Sequence, residues 1–230
     1  MKERDFYLLQ VNDALFPIGG YSHSQGLETY IQKGLVHDEK SAEEYIRNRL
    51  HWSLAYTDLL AVRLAYEYAQ RAELKKLEEL EELLETSRVP AEQREAARKM
   101  GSRFAKTVEK LEIPVCRTGI FPDFLERRKG KTVSHSCIYG VFCACLDTGE
   151  EECLSHYLYA QTSAMVTNCV KTVPLSQSAG QKLLAGFFGE FEEILAEVMS
   201  CGGEDLCLSA PGFDLRGIQH ERLYSRLYMS

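Results

Sequence analysis

The apolar residues of this chain recur at three- and four-residue intervals over nearly its whole length, and no segment alternates convincingly with period two. That spacing belongs to helices that bury one face, and it argues against any sheet-based fold. Phe6, Leu9 and Leu15 open the pattern, and Pro17 ends it by removing a backbone donor. Leu27, Tyr30 and Ile31 form the next stripe, stopped at Gly34. Ser41 and Glu44 fit a capping box ahead of a long helix bearing Ile46, Leu50, Leu54, Ala61 and Leu64. Residues 70–86 set Leu74, Leu77, Leu80 and Leu84 against a largely acidic face, as a solvated helix does. Residues 91–112 follow with Met100, Phe104, Val108 and Leu111 on one stripe. Two apolar core helices are predicted over 133–147 and 153–172, and a further one over 176–199. "SAPGFDLRG" reads as irregular. As a helix, residues 218–230 would align Leu223 with Leu227 and Arg222 with Arg226. The expectation is an all-α protein: one helical-bundle domain over 1–209, then a flexible linker and recognition tail over 210–230.

Bulk properties narrow the function. The 230 residues are 45% hydrophobic and 27% charged, enough for a large core and a soluble surface. A formal charge of −7 lacks the electrostatic footprint of a nucleic-acid or anionic-membrane binder, so neither partner is expected. The longest apolar run, "CIYGVFCACL", falls well short of the ~18–20 residues that span a bilayer. Gln10, Asn12 and Asp13 interrupt any export signal, which makes the cytoplasm the expected compartment. The eight cysteines show no regular spacing and mostly sit among apolar residues, as reduced core thiols do.

Several motifs suggest chemistry. In "DALFPIGGYSHSQGLE", residues 13–28, Ser22-His23-Ser24 could pair a nucleophile with a base. The G-x-S-x-G elbow fails, because Ser22 is flanked by Gly20 and Ser24, and Ser24 by Ser22 and Gly26. A structural turn accounts for more of the letters. Pro17 stops one helix, Gly19 and Gly20 permit unusual backbone angles, and Ser22 with Gln25 makes a capping box for the next. "RRKGKT", residues 127–132, ends like a phosphate loop but has Leu125 where the pattern requires glycine, leaving a basic loop that could dock an acidic partner. His135, Cys137, Cys143, Cys145, Cys153 and His156 cluster in sequence. Cys143 and Cys145 point about 200° apart on a helix, and Cys153 with His156 makes only half a tetrahedral site, so no metal centre is expected. Lys171 lies in an apolar helix close to Pro174. Both a snorkelling lysine and a charged anchor for another protein fit it.

Four stretches in order, "LLQVNDALFPIGGYSHSQGLE", "HSCIYGVFCACL", "YLYAQTSAMVTNCVKTVPLSQSAGQKLL" and "HERLYSRLYMS", resemble the UreF family of urease accessory proteins. Cys169 stands where members often have alanine, and Tyr228 and Met229 replace a common phenylalanine and arginine. The resemblance implies an all-helical, non-enzymatic homodimer with no cofactor of its own. It would bridge UreD (UreH), which contacts apo-urease, and the UreG GTPase, in a complex that handles nickel under control of GTP bound by UreG. By resemblance Lys171 faces the GTPase, an assignment extended to Gln177 and Gln181. His220, Glu221, Leu223, Tyr224, Arg226 and Leu227 would face UreD. Pro17, Gly19, Gly20, Ser22, His23, Gly26 and Glu28 match the N-terminal signature, a turn and candidate interface. A nickel-binding metallochaperone using cysteine and histidine, and a Ser/His hydrolase, are the rival classes.

Overall fold

The structure, a computed structural model, describes residues 2–208 and 210–230, and all regular secondary structure among them is helical. Helix α1 (Glu3–Val11) buries Leu8 and Val11 and leaves Phe6 and Leu9 exposed. It stops well before Pro17, contrary to expectation. Asn12 terminates it, donating from Nδ2 to the Leu8 carbonyl and to Tyr139 Oη, each at 2.8 Å, which pins the turn to the core. Helix α2 (Leu27–Gln32) begins at Gly26, a left-handed residue at φ +89°. The expected Ser22–Gln25 capping box does not form. Ser22 Oγ donates to the Gly19 carbonyl, and Gln25 Oε1 accepts from Arg49.

The long helix expected from Ser41 is a rod of three pieces: α3 (Glu39–Arg49), a π-helix (Leu50–Leu59) and α4 (Leu60–Gln70). Its cap is Asp38, with Ser41 inside the first turn. Ser41 N donates to Asp38 Oδ1 at 2.8 Å, and Asp38 N donates to Ser41 Oγ at 3.0 Å. A carboxylate at this position satisfies the first-turn donors that the Ser41–Glu44 reading assigned elsewhere. Within the π-helix, donors other than its own main chain engage the carbonyls: the Thr57 hydroxyl donates to Ser53 O and, from outside the helix, Cys207 N donates to Tyr56 O, both at 2.7 Å.

Helices α5 (Leu74–Ser87), α6 (Ala91–Leu111) and α7 (Ile120–Arg127) pack around α8 (His135–Cys145), which is buried from its first residue to Cys143 and lies along α4. Two glycines make this packing possible. A Cβ on Gly140 would stand 2.4 Å from the Val62 carbonyl, and one on Gly101 would stand 2.0 Å from that of Val133. Helix α9 (Glu150–Thr172) spans the bundle, and α10 (Gln177–Gly186) folds back on it. The single helix expected over 176–199 is interrupted at Phe187, a buried ring between α10 and α11 (Phe188–Ser200).

The final segment differs most from its expectation. "SAPGFDLRG" is largely helix, because α12 (Pro211–His220) starts on a proline whose missing donor costs nothing in a first turn. Ser209, at the expected domain boundary, lies outside the described residues. Beyond His220 the chain leaves the helical path, so residues 218–230 do not form the amphipathic helix that their spacing suggested. No helix among the described residues is long and apolar enough to cross a membrane.

Candidate functional site

The first signature stretch closes over the C-terminal half of α9 and frames a groove of about 360 Å³. Its walls come from Phe16, Ile18, Met100 and Met165, with Asn168 and His23 among the polar groups. Gly19 turns the chain at φ +82°, where a Cβ would meet the guanidinium of Arg103. Asn168 is buried in α9 and donates from Nδ2 to the His23 carbonyl at 3.0 Å, fastening the loop to the helix. His23 is buried, and its pKa is lowered by desolvation, with Lys99 and Arg103 adding to the effect.

The last ten residues dock on this loop. Main-chain N–H groups of Ser24 and Gln25 donate to the Ser230 carbonyl at 2.6 and 2.9 Å, and Ser24 Oγ adds a third bond at 2.9 Å. Met229 N donates to Ser22 O at 2.8 Å, and His23 Nδ1 lies 2.9 Å from Ser230 Oγ. Glu28, on the first turn of α2, accepts from Leu227 N at 2.7 Å and from Tyr228 N at 2.8 Å. The buried ring of His220 sits between two carboxylates, with Nε2 3.2 Å from Glu28 and Nδ1 2.6 Å from Glu92. Glu92 also pairs with Arg226. Thr29 and Gln32 complete the contact through the carbonyls of Arg216 and Ser225. Meanwhile Tyr224, Leu227 and Met229 face solvent. Glu221 is exposed and accepts from Ala91 N, and Leu223 is half-buried.

The Ser22-His23-Ser24 triplet therefore makes no nucleophile–base pair: each side chain is engaged with Gly19 or Ser230. Lys171 sits on the last turn of α9 at the groove rim, exposed, where its charge complements the helix C-terminus. Gln177 and Gln181 occupy exposed positions one turn apart on α10, which approaches α9 closely because Gly180 abuts Val170. No group of three or more His, Cys, Asp or Glu among the described residues could hold a metal ion. The cysteines are free thiols. Burial pushes Cys137 and Cys153 well above the ordinary thiol range and raises Cys169 to about 12, so these stay protonated and inert. His135 is held down to about 4, again chiefly by burial, and is neutral at physiological pH. The basic loop is neutralised in place, Arg127 by Glu78 and Lys131 by Glu82, with Arg128 buried and donating to the Thr132 carbonyl.

Sequence reasoning missed Glu92 and Asn168. Glu92 looks like any first-turn acid of α6. Asn168 carried a signal, a lone amide within the apolar run "MVTNCV", where burial demands a partner.

Comparison with known proteins places these features in a family. The UreF family model matches residues 36–187. A urease accessory protein UreF from Bacillus sp. (strain TB-90) is 35% identical over 225 residues, covering 97% of both chains.

Proposed function

The chain belongs to the UreF family, non-enzymatic urease accessory proteins, and from that premise we propose that it is the adaptor joining UreD (UreH) to the UreG GTPase during nickel insertion into apo-urease. One observation carries the reading. Three segments far apart in sequence, residues 12–28, the end of α9 and residues 221–230, converge on one face without forming a catalytic or metal-binding constellation. A surface assembled at that cost in chain ordering, with Lys171, Tyr224 and Leu227 left exposed upon it, is suited to holding other proteins.

In this reading residues 221–227 meet UreD, while Lys171 with Gln177 and Gln181 meets UreG; His220, expected on the UreD-facing surface, is buried between Glu28 and Glu92 beneath it. GTP is bound by UreG and nickel is cargo of the assembled complex. The adaptor works as a homodimer in the cytoplasm. Lys171→Glu tests the division of labour, since reversing an exposed charge leaves the core untouched. The variant should fold and dimerise as the parent does, capture UreD, and fail to support UreG-coupled urease activation. Full activation with unaltered GTP hydrolysis would refute the assignment.

A further inference from the structure

We infer that Cys145 and Cys116 form a reversible oxidation site, at which a hydroperoxide oxidises the Cys145 sulfur and Cys116 then closes it into a disulfide. The site lies apart from the groove, whose lining includes neither residue, and it does not depend on the adaptor reading. Cys145 is the last residue of α8 and is half-buried. Cys116 ends a short 3₁₀ turn, Pro114–Cys116, that packs against both α7 and α8. Both thiols are free, and the Cys116 thiol donates a hydrogen bond to the Cys145 sulfur. A second donor reaches the same sulfur. Gly119 turns the chain at φ +77° into α7, and the N–H of Phe121, in that helix's first turn, points at Cys145. First-turn amides have no partner within their own helix, so this one is available to a thiolate.

The two sulfurs are thereby made unequal. The Cys116 bond lowers the Cys145 pKa most, burial opposes it, and the Phe121 amide lowers it further. Cys116 is pushed the other way, by the same bond and by its burial. A partly accessible thiolate beside a protonated thiol is the arrangement of an attacking cysteine with its resolving partner. The chemistry balances. The Cys145 thiolate attacks the terminal oxygen of the hydroperoxide and the O–O bond breaks. Cys145 becomes a sulfenic acid, and the departing alkoxide or hydroxide takes up the proton that Cys145 had shed. The Cys116 sulfur next attacks the Cys145 sulfur; the S–S bond forms, the S–O bond breaks, and the oxygen leaves as water with the Cys116 proton. Each sulfur gives up one electron, and the peroxide bond takes both. A dithiol reverses the reaction by exchange. Cys143 and Cys153 also share a hydrogen bond, but both are fully buried, out of reach of an oxidant. Cys201 is half-buried like Cys145, yet its pKa is raised by burial and by Asp205 and Glu197.

Thiol mapping by mass spectrometry on the folded, full-length protein tests the site. With limiting iodoacetamide, Cys145 should be alkylated about tenfold or more faster than Cys201, a contrast that exposure alone does not produce. Brief treatment with hydrogen peroxide should remove two thiols and link the peptides of Cys116 and Cys145, and dithiothreitol should restore both. In Cys116→Ser the Cys145 sulfenic acid should persist and be trapped by dimedone, whereas Cys145→Ser should form neither the adduct nor the disulfide. Alkylation of Cys145 no faster than that of Cys201 overturns the proposal. So does a disulfide joining another pair, or peroxide that leaves all eight thiols of the wild type intact. If Cys116→Ser does not fold, the wild-type peptide map and Cys145→Ser carry the decision.

Discussion

Replacing Glu81 with glutamine should change how stability depends on pH, by an amount that follows from where the residue sits. Glu81 lies on α5, fully buried, and both carboxylate oxygens accept from Ser134 N at 2.9 Å at the start of α8. Burial raises its pKa from 4.5 to about 7, against the lowering effects of the Ser134 bonds and of Arg128. A carboxyl raised in the folded state contributes stability that is fully present below pH ~4.5 and is lost as pH climbs through ~7. The shift corresponds to about 3 kcal/mol. His135 works in the opposite sense. Its pKa falls from 6.5 to about 4, so its contribution is present above pH 6.5 and is lost as pH drops toward 4, again by about 3 kcal/mol. The two nearly cancel in the wild type between pH 4.5 and 6.5. Glu81→Gln removes one and leaves the other. Urea unfolding at pH 4.5, 5.5, 6.5 and 7.5 should show the variant gaining on the wild type by about 3 kcal/mol across the series. A stability difference that does not change with pH would show that Glu81 is not desolvated as described.

Two further perturbations probe the packing. Gly140→Ala places a Cβ against the Val62 carbonyl and should cost about 1–3 kcal/mol in chemical denaturation, with α4 and α8 forced apart. Arg63, nearly buried, donates to the carbonyls of Val198, Met199 and Cys201 at 2.8–3.0 Å and so closes the end of α11. Arg63→Met should cost about 2–4 kcal/mol and speed amide exchange in residues 198–203, whereas an unchanged melting temperature would make those bonds dispensable.

Helical periodicity was enough to read the fold class and the placement of α6, α8 and α9, because those faces bury apolar residues at every turn. It failed where a hydrogen bond from elsewhere decided the outcome. The π-helix at Leu50–Leu59 keeps its buried Leu50 and Leu54 in helical spacing, so those letters do not reveal that Cys207, far along the chain, donates to the Tyr56 carbonyl. The break at Phe187 looks like ordinary helix because Gly186 and Phe187 are both permitted there. Residues 221–230 show the limit most clearly. Their amphipathic spacing suits a helix, but the donors of Leu227 and Tyr228 go to a carboxylate some two hundred positions earlier. The same holds for the candidate site. Local motifs located Lys171 and the 13–28 turn, while the Glu28–His220–Glu92 contact exists only after folding.

The most direct test of the adaptor account is the mass of the assembly formed when purified chain, UreD (UreH) and GTP-loaded UreG are mixed and separated by size exclusion with light scattering. The account predicts one complex containing all three proteins, and no association of UreD with UreG when this chain is omitted. UreD and UreG associating equally well without it, or a chain that elutes alone in the presence of both, would contradict it.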